Sequence, residues 1–187
     1  MSEKIFVDGS YPIDKIADVL VGGGIVIMPS DTIYGFLFTE AAADKVRELK
    51  KRDNKPFLFF ISDIKQLEDL KVNYKPFIGI LEKNWPGAFT FIFDNADGTT
   101  SGVRLPVWNV LNELSQKTGK ILYSTSVNFS GEPPLDNPVD IEAAFADKAD
   151  LLVFDEKYVP GTASTVVRLS ETDGVKIIRS GGGRLIL

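Results

Sequence analysis

The chain alternates short apolar runs with segments whose apolar residues recur every three or four positions. The apolar runs predict strands, and the three-to-four spacing predicts amphipathic helices that cover them. Strands are predicted at 5–7, 25–28, 35–38, 57–61, 88–93, 101–106, 120–123, 151–154, 163–167 and 175–178, and helices at 11–20, 39–51, 62–70, 74–83, 107–118 and from 137 onward. Strands that alternate with helices in this way are typical of an α/β domain.

The 187 residues contain no internal repeat, low-complexity tract or interdomain linker. That length is enough for one domain with a substantial core. We therefore expect a single mixed α/β domain over 1–187. Polar residues are predicted to cap the starts of three helices: Thr39 before the second helix, Ser62-Asp63 before the third and Asn137 before the last.

Polar side chains follow two of the predicted strands at the point where each strand ends. The apolar run 25–28 is followed by Pro29-Ser30-Asp31-Thr32-Ile33-Tyr34, and the strand 120–123 is followed by Ser124-Thr125-Ser126-Val127-Asn128. An ordinary turn explains either segment alone, since Ser, Asp and Asn are common turn residues. The repetition after two different strands favours a shared site, because open α/β sheets bind ligands beyond the ends of their strands.

Two groups of cations are candidates for anion binding. Lys50, Lys51 and Arg52 end the second predicted helix, where cations also complement the helix dipole without any ligand. If Lys50 and Arg52 act together, the helix must unwind there, because residues two apart do not share a helix face. Arg104 is flanked by apolar residues in a short predicted strand. It is either exposed at a sheet edge or directed into a site.

The composition narrows the chemistry that this chain can perform. A net charge of −5 means that any polyanion site must be a local cationic cluster. The chain has no cysteine, which excludes disulfides and a thiol nucleophile and fits a reducing compartment. It also has no histidine, which excludes a Ser-His-Asp triad and the commonest general base. Mg²⁺ carried on substrate phosphates remains compatible, because it prefers oxygen ligands.

No apolar segment has the length of a membrane helix, and the first ten residues lack the basic start and apolar centre of a signal peptide. The sequence therefore predicts a cytoplasmic protein that does not associate with membranes.

Three segments together resemble the signature blocks of the YrdC-like family, the threonylcarbamoyl-AMP synthases. They are Pro29-Ser30-Asp31-Thr32-Ile33-Tyr34-Gly35, Lys50-Lys51-Arg52 and Ser124-Thr125-Ser126-Val127-Asn128-Phe129-Ser130-Gly131. Four shorter segments are similar to the family's secondary blocks and follow in the expected order: 85–87, 102–106, 164–167 and 178–179. The resemblance covers nearly the whole chain, with a core from about residue 13 to residue 182.

The resemblance implies a twisted open sheet of parallel and antiparallel strands, flanked by helices and enclosing a cationic hollow. It implies an enzyme, a nucleotidyltransferase that condenses L-threonine, bicarbonate and ATP into threonylcarbamoyl-AMP and pyrophosphate. Other proteins would then pass the threonylcarbamoyl group to tRNA. Members of the family are also described as binding double-stranded RNA or tRNA, so RNA is an expected partner. The extra C-terminal domain of longer relatives is not expected here.

The family's functional residues can be carried over to matching positions of this chain. The resemblance assigns to Lys50 and Arg52 the catalytic role and the binding of the phosphates of ATP. We expect Mg²⁺ to accompany ATP on these phosphates. The resemblance also assigns further nucleotide contacts to Thr100, Ser126, Asn128 and Arg179. On the threonine side it assigns Thr32, Ser164 and Arg104, the last as partner of the carboxylate.

The chain departs from the family pattern at three positions, and its loop from Asp53 to Pro56 is one residue shorter than usual. Ser30 replaces the usual Thr, Asp53 replaces the usual Pro, and Val127 replaces the usual Ala. Because a fold does not fix a function, two alternatives stay open. One is a module that binds RNA without catalysis. The other is a related nucleotide-dependent transferase with a different acceptor.

Overall fold

The predicted strands form one mixed sheet in a computed structural model, which describes residues 2–51, 56–159 and 161–187. Within these residues the strands are β1 (Glu3–Val7), β2 (Val26–Met28), β3 (Gly35–Phe38), β4 (Leu58–Phe60), β5 (Phe89–Asp94), β6 (Thr100–Arg104), β7 (Leu122–Ser126), β8 (Leu151–Asp155), β9 (Thr165–Ser170) and β10 (Gly174–Arg179). The sheet order is β1-β8-β2-β3-β7-β4-β6-β5-β9-β10. Parallel and antiparallel pairs alternate irregularly across it, which confirms the predicted mixed, open α/β sheet.

Six α-helices connect the strands in the described part of the chain. They are α1 (Ile13–Val21), α2 (Ala43–Lys50), α3 (Gln66–Asp69), α4 (Ile78–Asn84), α5 (Asn109–Thr118) and α6 (Pro138–Phe145). Asn137 caps α6 as predicted, since its Oδ1 accepts a hydrogen bond from the backbone N–H of Val139 at 2.8 Å. Thr39 lies at the predicted N-cap position, before a 3₁₀ turn (Glu40–Ala42) that leads into α2, but its side chain makes no capping hydrogen bond, because its hydroxyl donates to the carbonyl of Leu20.

Neighbouring residues of each strand point to opposite faces of the sheet, and both faces are partly covered by helices. On β3, Leu37 packs into an apolar cluster with α1 and α5. The adjacent residues Phe36 and Phe38 pack on the other face with α2 and α6. Farther along that second face, Phe91 and Val103 pack in a third cluster with α4.

The first face is left without a helix where the sheet continues beyond α1 and α5. Strand pairing carries this face from Leu37 across Ser124, Leu58 and Gly102 to Ile92, since residues directly opposite in neighbouring strands share a face. None of the cores that contain α1 and α5 reaches β5 or β9 in the described residues. A hollow therefore remains over the central strands, bordered by their side chains.

Within the described residues, every helix is too short or too polar to cross a lipid bilayer.

Candidate functional site

The hollow over the sheet is a cavity of about 280 Å³. Its wall combines apolar residues of the strands with hydroxyls and two arginines. The polar side chains that line it come from six separate segments of the chain: Ser30, Thr32, Tyr34, Thr90, Arg104, Ser124, Thr125, Ser126, Ser164 and Arg179. The two polar segments that follow β2 and β7 thus meet at one site, as their repetition in the sequence suggested.

Arg104 is the most buried charged residue among those that line this cavity. It is the last residue of β6, a central strand, and only 2% of its surface is exposed. Its Nη1 donates to the hydroxyl of Thr32 at 2.7 Å, and its Nη2 lies 2.8 Å from Oδ2 of Asp31. Asp31 Oδ2 also accepts from the backbone N–H of Val107 at 3.3 Å, so the carboxylate is fixed on two sides.

The environment of Arg104 leaves part of its hydrogen-bonding capacity unused. Burial lowers the pKa of its guanidinium, and the neighbouring Asp31 carboxylate acts in the opposite direction. Arg104 Nη2 is engaged by Asp31 in the 2.8 Å ion pair. Among the described residues, Arg104 Nε and Asp31 Oδ1 are buried without a hydrogen-bond partner. An anion beside Arg104 could accept hydrogen bonds from donors that the protein leaves unused. Guanidinium groups bind carboxylates through charge-assisted hydrogen bonds of this kind.

Two tyrosines, Tyr34 and Tyr158, lie near Arg104 and Asp31. Tyr34 lines the cavity, and its ring meets that of Tyr158 edge-on at 5.1 Å. Burial raises the pKa of both phenols, that of Tyr158 to about 12, so both are neutral at physiological pH. The segment after Tyr158 is tied to the cavity rim, because the backbone N–H of Gly161 donates to the carbonyl of Thr32 at 2.8 Å. A Cβ at Gly161 would lie 2.7 Å from that carbonyl oxygen, which explains the glycine.

A second polar group joins Lys50 to the segment after β7. Lys50 is the last residue of α2 and is 1% exposed. Its Nζ donates to the backbone carbonyl of Ser126 at 2.5 Å and to Oδ1 of Asn128 at 2.7 Å. The hydroxyl of Ser126 donates to the same Oδ1 at 2.7 Å, while the Asn128 amide donates to the carbonyl of Glu132. Lys50 therefore lies behind the cavity wall and supports it through Ser126.

The second predicted helix unwinds after Lys50. The sequence requires this if Lys50 and Arg52 act together. Helix α2 ends at Lys50, and Lys51 adopts a left-handed conformation with φ of 49°. The predicted phosphate-binding residue Arg52, like Asp53, lies outside the described residues.

A third polar group stands on the opposite side of the cavity. The hydroxyls of Ser164 and Thr90 are 2.8 Å apart, and both residues are buried. Arg179, at the end of the edge strand β10, donates from Nη2 to the backbone carbonyl of Ser164 at 2.9 Å. Arg179 is exposed, unlike Arg104, although both face the same cavity.

The structure brings most of the predicted site residues together. Five of them line the cavity: Thr32, Arg104, Ser126, Ser164 and Arg179. Lys50 and Asn128 contact the wall from behind. Thr100 begins β6, four positions before Arg104 on the same face of the strand, but does not line the cavity. The open question about Arg104 is settled, since it is buried in the sheet and directed into the site.

The sequence assigned no individual role to Asp31 or Thr90, although both contact predicted site residues. Asp31 lies in the same segment as Thr32, so its position was visible in the sequence, but its partner Arg104 is distant in the chain. Thr90 lies within the apolar run of β5 and gives no polar signal of its own. Its alternation with Phe89 and Phe91, which face the core, is the signal that places it on the cavity face.

The sequence also matches a family model. Residues 18–181 match the model of the Sua5/YciO/YrdC family, which carries the description "telomere recombination". Among solved structures, E. coli YciO is similar with a TM-score of 0.85 and 20% identity, covering 98% of both chains. P. abyssi Sua5 in complex with L-threonine is similar with a TM-score of 0.83 and 22% identity.

These structural relatives differ in length. The match covers 97% of this chain but only 58% of the Sua5 chain bound to L-threonine, and 61% of the chain of the H234A/Y235A variant of P. abyssi Sua5. A phosphate- and nucleotide-bound HypF structure is similar over 92% of this chain and 29% of its own, with a TM-score of 0.74 and 21% identity. At these identities, the structural likeness shows the fold.

Proposed function

Because the chain belongs to the Sua5/YciO/YrdC family, we propose that it is an L-threonylcarbamoyladenylate synthase. In the proposed reaction the amine of L-threonine loses a proton and attacks the carbon of bicarbonate, and a carbamate forms with loss of water. The carbamate oxygen then attacks the α-phosphorus of ATP, and pyrophosphate leaves. The product, threonylcarbamoyl-AMP, would be consumed by proteins that transfer the threonylcarbamoyl group to tRNA.

One observation carries this proposal: residues assigned to the amino acid and residues assigned to the nucleotide line one cavity. Thr32, Arg104 and Ser164 belong to the first set, and Ser126 and Arg179 to the second. A reaction between two substrates requires both to be held together at bonding distance. An RNA-binding module without catalysis has no need for a nearly buried arginine with unused donors.

Arg104 is suited to the carboxylate of the amino acid. Its planar guanidinium can form two parallel hydrogen bonds with a carboxylate, which a lysine cannot do. Thr32 and Asp31 fix the guanidinium from two sides, so that little freedom is lost when the substrate binds. The L-threonine complex of P. abyssi Sua5, a protein of the same fold, supports an amino acid as the ligand.

The nucleotide half of the proposal rests on cations and hydroxyls. In phosphoryl transfer, charge develops on phosphate oxygens, and catalysis depends on positioning and on electrostatic stabilisation. Lys50 and Arg52 are proposed to serve the phosphates. Lys50 would do so from its place beside Ser126, because its ammonium group charges that part of the wall. Thr100, Asn128 and Arg179 are proposed to complete the nucleotide contacts.

The protein offers no metal cluster of its own in the part that the structure describes. No three acidic side chains there lie close enough together to hold a metal ion. We therefore propose that Mg²⁺ arrives bound to the phosphates of ATP, where it neutralises charge. Deprotonation of the threonine amine is assigned to bicarbonate or to the substrate phosphates, because the chain has no histidine.

The proposal is tested by pyrophosphate release from ATP and bicarbonate, measured with and without L-threonine. We expect release to depend on L-threonine and mass spectrometry to detect threonylcarbamoyl-AMP. Release with another amino acid in a panel would support the transferase with a different acceptor. Salt-sensitive RNA binding without ATP binding would support the non-catalytic module and contradict the proposal.

A further inference from the structure

Gly102 lies at the centre of the cavity floor, in a position where glycine is unfavourable. It is the middle residue of β6, which is paired on both sides, to Leu58 of β4 and to Ile92 of β5. Glycine in the interior of a strand weakens it, since it orders a flexible backbone and offers no side chain to pack. A specific reason for this glycine is therefore expected.

The protein itself supplies no such reason. The register of β6 with both neighbours runs through Gly102 without a shift, so there is no bulge. Its φ lies outside the left-handed region, and a Cβ built on it would meet no atom closer than Thr90 Cγ2 at 3.7 Å, an ordinary contact. By contrast, a Cβ at Gly35, also in the cavity wall, would lie 3.0 Å from the hydroxyl of Ser124.

The absent side chain leaves a slot between two aliphatic walls. Leu58 and Ile92 flank Gly102 on the same face, and all three line the cavity. Since adjacent strands are about 4.8 Å apart, these two walls rise from backbones roughly 9.6 Å apart. Two van der Waals contacts of about 3.5–4.0 Å across one layer of carbon atoms need roughly 7–8 Å, and a second layer would need more than the backbone spacing. The spacing therefore limits the slot to a group that is one atom thick.

We infer that Gly102 is a specificity-determining residue that admits the flat base of the nucleotide between Leu58 and Ile92. This inference rests on the proposed function, which supplies the candidate ligands. Of those ligands, threonine is branched and the phosphates are tetrahedral. Bicarbonate is planar but charged, so adenine is the flat group that suits two aliphatic walls. Gly102 also lies between Arg104, assigned to the amino acid, and Thr100, assigned to the nucleotide, on one face of the same strand.

The test is a size series at this position, Gly102→Ala and Gly102→Val, titrated calorimetrically with ATP, inorganic triphosphate and L-threonine. An added methyl in a fitted apolar pocket changes affinity by roughly 10- to 200-fold. We expect ATP binding to weaken by at least about 10-fold in the Ala variant and further in the Val variant. Triphosphate, which lacks the base, and L-threonine should each change less than about threefold.

A folding control separates this effect from damage to the sheet. The Ala variant should melt at the wild-type temperature or above it, because alanine reduces the freedom of the unfolded chain and meets no clash. Gly79→Ala is the matched control, since Gly79 lies in α4 on the other face and a Cβ there meets nothing within 4 Å. It should leave ATP affinity unchanged.

The inference and the proposed function fail in different ways. Unchanged ATP affinity in Gly102→Ala, or an equal loss for triphosphate, overturns the inference even if the wild type makes threonylcarbamoyl-AMP. A wild type that binds ATP but releases no threonine-dependent pyrophosphate removes the proposed function, while the ratio of ATP affinities still decides the inference. A wild type that does not bind ATP overturns both.

Discussion

Two arginines line the same cavity, one at the end of a central strand of the sheet and the other at the end of an edge strand. Arg104 ends a central strand, is 2% exposed and is held by Thr32 and Asp31. Arg179 ends the edge strand β10, is exposed and donates to a backbone carbonyl. Its charge therefore remains available to a ligand, whereas that of Arg104 is already balanced by a carboxylate.

The difference indicates two modes of anion recognition. A buried, fixed guanidinium discriminates by shape, because its donors cannot move to meet a misplaced acceptor. An exposed arginine attracts an anion through water and adapts to it, with a smaller energetic contribution. The amino acid, whose carboxylate is small and rigid, suits the fixed guanidinium of Arg104. The longer nucleotide suits the exposed Arg179. The following substitutions exchange or remove these properties.

Removal of the buried guanidinium should have the largest effect. Arg104→Ala should lower kcat/KM for L-threonine by roughly 100- to 1,000-fold, the scale for loss of a preorganised charged group. It should also destabilise the fold by about 3 kcal/mol, because Asp31 is left without its partner in a nearly buried place. Pyrophosphate release and urea denaturation measure the two quantities.

Arg168→Ala is the matched control for this substitution. Arg168 pairs with Asp94 at 2.8 Å, but both side chains are more than a third exposed and the arginine does not line the cavity. It should keep its activity and lose less than about 1 kcal/mol, as exposed ion pairs do. Equal effects of the two substitutions would show that burial of Arg104 has no special role.

Removal of the balancing carboxylate should make Arg104 more like Arg179. Asp31→Asn keeps the shape and the acceptor for Val107 N–H but removes the charge. We expect a loss of about 1–3 kcal/mol in the free energy of unfolding, because a buried cation loses its partner. The substrate carboxylate can then take over that role, so L-threonine should raise the Tm of this variant more than that of the wild type. An equal shift in both proteins would contradict the competition between Asp31 and the substrate.

The sequence predicted features that depend on neighbouring residues better than features that depend on distant ones. The period of apolar residues identified the strands and helices, and Asn137 was recognised as a cap because its partner is two residues away. The position of Thr39 before a helical turn was also recognised, but not the partner of its hydroxyl, since Leu20 lies on an earlier helix. Strand order depends on pairings between distant segments, such as β1 with β8. No local pattern reports them.

The same limit applies to the site. Apolar neighbours of Arg104 fit an edge strand as well as a central one, and only the order β4-β6-β5 places it in the interior. Lys50 was placed correctly at the end of a helix, but its contacts with Ser126 and Asn128 are 76 and 78 residues away along the chain. The family resemblance identified Arg104 and Lys50 as site residues. It could not show that Lys50 lies behind the cavity wall, in contact with Ser126.

Loss of the exposed arginine should have a moderate effect confined to the nucleotide. Arg179→Ala should raise KM for ATP by roughly 10-fold, the effect of losing one charge-assisted hydrogen bond of about 1.5 kcal/mol. The free energy of unfolding should change by less than about 0.5 kcal/mol, as for most surface substitutions. KM for L-threonine should not change, and a rise there would place Arg179 at the amino acid instead. Arg179→Lys should recover part of the ATP affinity, because it restores the charge without the planar fork.

The smallest effect is expected behind Arg179, where Thr90 supports Ser164. Thr90→Val is nearly isosteric and removes the partner of the Ser164 hydroxyl, which lies 2.8 Å away in a buried position. The free energy of unfolding should fall by about 1 kcal/mol, the net value of a typical hydrogen bond. Because Arg179 bonds to the backbone of residue 164 and not to its side chain, KM for ATP should stay within about twofold of wild type. Steady-state kinetics beside a urea titration separates the two, and a large rise in KM would mean that Ser164 transmits the position of Thr90 to the exposed arginine.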